Sequence, residues 1–135
     1  GAMLACNSFP NVLCGHVAGP SDAFLFAQVN DGNCVAIPFA QGFGWGGELN
    51  LEYIFEKLFG CGSGNGYPPE RREPEQRNKK ILDAVRAHTI KALPDCLAGL
   101  DPALVRGAVA GDKFAGLFFP RCQDKALADY IRSIR

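Results

Sequence analysis

The chain of 135 residues has no net charge, one methionine, one tryptophan and two histidines. Fourteen lysine and arginine side chains offset fourteen acidic ones, so no overall field gathers nucleic-acid phosphates or an anionic membrane surface. Long apolar runs are also missing. Stretches such as Val35 to Ala40 fall far short of the roughly 20 residues that a spanning helix requires. No charged, apolar, small-residue leader pattern is present. Gly1-Ala2-Met3 reads as the remnant of a cleaved tag, and residues 4–135 as one domain, large enough to close a core without a metal. Leu4-Ala5-Cys6 faintly resembles a lipoprotein box, but reads more simply as the place where a leader was removed.

Paired C-x-x-C motifs are absent too, which argues against a zinc knuckle or a thioredoxin site. Six cysteines are present instead: Cys6, Cys14, Cys34, Cys61, Cys96 and Cys122. An even set spread along the whole length suits a disulfide framework in an oxidising compartment, periplasmic or extracellular. The competing reading is six buried free thiols packed as small hydrophobes.

Helical signals are clear after position 45. Leu49, Leu51, Ile54, Phe55, Leu58 and Phe59 recur at threes and fours and predict a helix over 47–59. Glu48 suits its first turn, and Gly60 suits its C-terminal cap. Gly60 to Pro74 reads as an exposed loop, rich in glycine, proline and charge. Ile81, Leu82, Val85, His88, Ile90 and Leu93 predict a long helix from Glu75 that Pro94 stops. Asp101-Pro102 predicts an N-cap followed by proline at the first helical position. A last helix is expected over about 125–134.

The first forty residues admit two readings. Phe24 to Val29, the turn residues Asn30 to Asn33, and Cys34 to Pro38 have the form of a β-hairpin. Leu13, Val17, Phe24 and Gln28 also admit a helix over about 11–29, kinked or restarted at Pro20. The fold class expected is mainly α, a small disulfide-stapled helical bundle, with an α+β arrangement carrying a hairpin at 24–38 as the alternative. In an antiparallel bundle, Cys34 with Cys96 and Cys14 with Cys61 become feasible pairs, and Cys6 can replace Cys14. Six cysteines allow 15 connectivities.

Two loops offer contacts. Gln41 to Gly47 presents Phe43 and Trp45 on flexible glycines, Gly46 among them, able to fill a partner's pocket. Equally, both aromatics can tuck into the core. Gly62 to Tyr67 is the second loop, without the strand and Lys-Ser that a phosphate cradle needs, and Tyr67 is its contact residue.

An enzyme reading rests on Cys14 and His16, since Gly15-His16-Val17-Ala18 looks like the histidine strand of papain-like amidases. Strand geometry sets the two about 7 Å apart, too far for direct proton transfer. His88 lies on an apolar stripe and reads as a core or boundary histidine. No catalytic residue, metal or cofactor is assigned.

Cys14-Gly15-His16-Val17-Ala18-Gly19, then Asp22-Ala23, Cys34 with Pro38, Gly47-Glu48-Leu49 and Leu93-Pro94-Asp95-Cys96 occur in an order that resembles the Rap/Tai family over about residues 11–96. These are periplasmic immunity proteins of type VI secretion effectors. The resemblance implies a helical inhibitor, without enzymatic activity, that blocks an amidase-type effector by inserting a loop, and a possible homodimer. It adds Arg71 and Arg72, within Pro69-Glu70-Arg71-Arg72, to the expected partner surface. The sequence departs from the family at Pro20, in cysteine spacing and in the tail after Cys96. The other readings are a secreted protein- or glycan-binding module and a Cys/His amidase-like enzyme.

Overall fold

The computed structural model describes residues 1–135, whose contacts divide into two compact units, Gly1–Ile90 and Lys91–Arg135. The chain is mainly α, with eight α-helices and one two-stranded sheet. No helix is long and apolar enough to cross a membrane.

The first unit runs through α1 (Ala2–Asn7), β1 (Cys14–His16), α2 (Pro20–Leu25), a π-helical turn (Phe26–Asn30), β2 (Cys34–Ala36), α3 (Gly47–Gly60), a 3-10 turn (Pro69–Arg71) and α4 (Arg72–Thr89). Ala2 and Met3 thus lie within α1. β1 and β2 pair in parallel, Cys14 opposite Cys34, Gly15 opposite Val35 and His16 opposite Ala36. Parallel strands need a crossover, and α2 with the π-helical turn supplies it.

This arrangement corrects part of each reading of the N-terminal forty residues. The helix expected over 11–29 forms in its second half, restarting at Pro20 as expected, while Cys14–His16 of its first half are strand. The hairpin expected at 24–38 loses its first limb to helix. Pro20 opens α2 at its first position, where a missing N–H costs nothing, and the Asp22 carboxylate accepts from Ala18 N at 3.0 Å. Asp31 leaves the helical segment in the left-handed region at φ 49°. Asn33 then ties the two strand entrances together. Its Oδ1 accepts from Leu13 N at 2.9 Å and its Nδ2 donates to Asn11 O at 2.7 Å. Gly32 has no room for a side chain, because a Cβ there meets the Phe26 ring and lies 2.9 Å from Leu13 O. The turn residues therefore serve a helix exit and a parallel staple.

The core of this unit is small. Val17, Ala23 and Ile54 are fully buried, with Phe26, Val35, Ile37 and Leu58 packed against them. Ile54 is the one fully enclosed member of the α3 stripe, while Leu49, Phe55 and Phe59 stay largely exposed. α4 begins three residues before Glu75, since Pro74 is tolerated in a first helical turn. Its expected apolar residues Ile81, Leu82 and Val85 lie at the surface.

The second unit comprises α5 (Leu93–Ala98), α6 (Pro102–Val109), α7 (Asp112–Phe118) and α8 (Lys125–Ile134). Pro94 stands in the first turn of α5. Two side-chain caps set the boundaries. Asp101 accepts from Ala103 N at 2.8 Å, and Asp124 accepts from Leu127 N at 2.9 Å. Val105 and Val109 of α6 and Ala128 and Ile131 of α8 are buried. The Arg132 guanidinium lies 4.8 Å from the centre of the Phe119 ring.

Candidate active site at the strand ends

In open parallel α/β arrangements, ligands bind beyond the carboxyl ends of the strands. Here those ends are His16 and Ala36. Val17 N donates to Ala36 O at 3.0 Å and keeps the two ends level. A cleft of about 380 Å³ opens beside them, lined by Gly1 and by Ala2, Met3 and Leu4 of α1, by His16, by Ala36 at the end of β2, and by Ile37 and Pro38 beyond it. His16 is exposed and is the titratable side chain of this lining. An imidazole in such a place is chemically able to take up and return a proton.

At the opposite end of the same strands three thiols converge. Cys6 of α1, Cys14 of β1 and Cys34 of β2 place their sulfurs within 4.8 Å of one another. Burial, reinforced by hydrogen bonding to Cys34 and by the Cys6 thiol, pushes the Cys14 thiol from 9.0 up to about 11. Asn7, next to Cys6, holds Cys14 through both backbone groups. The Arg86 guanidinium donates to the carbonyls of Asn7 and Phe9, each at 3.1 Å, and of Val12 at 2.6 Å. All six cysteines are free thiols. The expected pairs Cys34 with Cys96 and Cys14 with Cys61 are not formed. Within the first unit, the parallel register sets Cys34 opposite Cys14, and Cys61 is exposed beyond α3.

The loop after α3 is exposed over most of its length, as expected over 60–74, and is anchored at Gly64 and Gly66, which are buried. Gly64 N donates to Ala27 O at 2.9 Å and Gly66 N to Gln28 O at 3.0 Å. The buried Gln28 amide donates to Cys61 O and Gly62 O, and Ser63 Oγ lies 2.5 Å from Asp31 Oδ1. Tyr67 stands edge-on to Phe24 with ring centres 5.3 Å apart. Arg71 lies 3.6 Å from the Glu75 carboxylate, and Arg72 opens α4.

Phe43 and Trp45 sit outside any core, Trp45 being 94% exposed. Gly42, Gly44 and Gly46 take positive φ around them. None of Phe43, Trp45, Gly46, Tyr67, Arg71 or Arg72 lines the cleft of His16. That cleft went unread because it needs two strand ends twenty residues apart. The available signal was Cys14-Gly15-His16 running directly into the Gly19-Pro20 helix start.

A crystal structure of 4-deoxy-L-threo-5-hexosulose-uronate ketol-isomerase, complexed with a tartrate, matches 98% of the chain with 50% identity and a TM-score of 0.93. One of ribose-5-phosphate isomerase from Vibrio parahaemolyticus matches 99% of it with 46% identity and a TM-score of 0.94. Both neighbours are isomerases. The chain spans 62% and 63% of their respective lengths. A family model described as ribose-5-phosphate isomerase matches residues 88–134. No curated protein sequence matches the chain.

These similarities overturn the resemblance to the Rap/Tai family and what it implied: an immunity protein without enzymatic activity that binds an amidase-type effector. The binding-module and amidase-like alternatives fit no better. The motifs behind the resemblance are two to six residues long. Their longest, Cys14 to Gly19, is a strand and turn here, whereas the resemblance requires helix.

Proposed function

We propose that the chain carries part of the active site of a ketol-isomerase acting on a small sugar derivative, with His16 as its proton-transfer residue. The similarity to the two isomerases over 98% and 99% of the chain carries this reading. Because the chain spans about three fifths of those proteins, the reading assigns it the His16 cleft and leaves the rest of the site unassigned.

Aldose–ketose interconversion moves one proton between adjacent carbons through an enediol, with no net redox change. A base removes the proton from the carbon beside the carbonyl, and its conjugate acid returns it to the former carbonyl carbon. His16 can serve in both capacities. The apolar side chains of Leu4, Ile37 and Pro38 beside it lower the local polarity around the imidazole.

The test uses the purified chain in deuterated water with ribose 5-phosphate or with the 4-deoxy-hexosulose uronate. Solvent deuterium should enter the carbon beside the carbonyl of one of them, and that substrate should shift the ring signals of His16. His16→Asn should lower exchange by about 10²-fold or more with unchanged circular dichroism. A folded chain that shows neither exchange nor any response at His16 overturns the reading.

A further inference from the structure

Three elements deliver one sulfur each to a single point: Cys6 from α1, Cys14 from β1 and Cys34 from β2, all within 4.8 Å of one another. Thiolate ligands of a zinc-type ion lie about 2.3 Å from the metal. That geometry puts sulfurs sharing an ion within about 4 Å of each other, so only small side-chain rotations separate this group from a coordinated one. Cys14 is 5% exposed, while Cys6 and Cys34 are half-buried, which gives an enclosed ligand and an entry side. The backbone around them is fixed independently. Asn7 joins the end of α1 to Cys14, Arg86 gathers the intervening carbonyls, and the strand register holds Cys34 opposite Cys14. Prior fixation of the frame lowers the ordering cost of binding an ion.

We propose that Cys6, Cys14 and Cys34 form a binding site for one soft, thiophilic cation of the zinc or copper(I) class. Three sulfurs and no carboxylate or imidazole make up the ligand set, and soft thiolate donors select these ions over magnesium, calcium or manganese. Each ligand loses its thiol proton to solvent on binding, so uptake releases protons. The site lies at the strand ends opposite to His16, and the proposal is independent of the isomerase reading.

The test uses the reduced chain, first treated with a chelator. Cadmium should raise an ultraviolet thiolate-to-metal charge-transfer band that saturates at one equivalent. Separate titrations with zinc and with copper(I), each against a chromogenic chelator, identify the ion held more tightly. Cys6→Ser, Cys14→Ser and Cys34→Ser should each weaken binding at least tenfold, and Cys61→Ser, Cys96→Ser and Cys122→Ser should not. Should Cys14→Ser fail to fold, alkylation of the wild-type chain decides. One equivalent of cadmium should protect Cys6 and Cys34 from iodoacetamide and leave Cys61 reactive. Absence of the band, equal protection of all six cysteines, or binding that survives the Cys34→Ser change overturns the proposal.

Discussion

Asn7 and Cys14 are joined by two hydrogen bonds. Asn7 Oδ1 accepts from Cys14 N at 2.9 Å, and Asn7 Nδ2 donates to Cys14 O at 2.8 Å. One side chain at the end of α1 thereby does for β1 what a neighbouring strand would do, satisfying both backbone groups of a buried residue.

Asn7→Ala should therefore destabilise the chain by about 2 kcal/mol, since two partly buried backbone groups lose their partner. Asn7→Asp should also destabilise it, because a carboxylate still accepts from Cys14 N but turns a second oxygen towards Cys14 O. Urea denaturation of the three proteins checks this, with Asn50→Ala as a comparison, since that side chain donates a single exposed bond to Ala18 O.

Gly66 takes φ 81°, and a Cβ there lies 2.5 Å from Arg72 Cα. Gly62 also takes a positive φ but meets only the Asn65 amide, at 3.2 Å. Gly66→Ala should cost about 3 kcal/mol or more, combining left-handed strain with a backbone clash, and Gly62→Ala about 1 kcal/mol. Thermal unfolding of the two variants should rank them in that order.

Trp45→Ala should leave stability within about 0.5 kcal/mol of the parent, because the indole is 94% exposed. The measurement is a denaturation midpoint. A loss of several kcal/mol would restore the reading in which this tryptophan belongs to a core.

Cys14 gives the metal-free, reduced chain a pH dependence of definite sign. Its thiol is raised from 9.0 to about 11 in the folded state by burial and by the facing Cys34 and Cys6 thiols. The folded chain thus holds this proton more tightly than the unfolded one. The contribution is fully present below about pH 9 and is lost as pH rises towards about 11. Other groups titrate in the same window, so the informative quantity is the difference between the parent and Cys14→Ala. That difference in unfolding free energy should shrink steadily over this window.

The residues by themselves determined the elements whose signals are local. Asp101-Pro102 marked α6, the threes and fours from Leu49 to Phe59 marked α3, and α8 was legible at 125–134. In α6 and α8 the capping aspartate sits within three residues of the N–H it satisfies, and in α3 the apolar period repeats within four, while Gly60, expected as its cap, is its last helical residue. Tertiary structure alone decided the parallel pairing of Cys14–His16 with Cys34–Ala36, the thiol group and the cleft of His16. Strands of three residues carry too little alternation to be read. Partners twenty residues apart are chosen by Asn33, Asn7 and the closing of Val17, Ala23 and Ile54 into one core. Those contacts exist only after the chain has folded back on itself, and no periodicity along it records them.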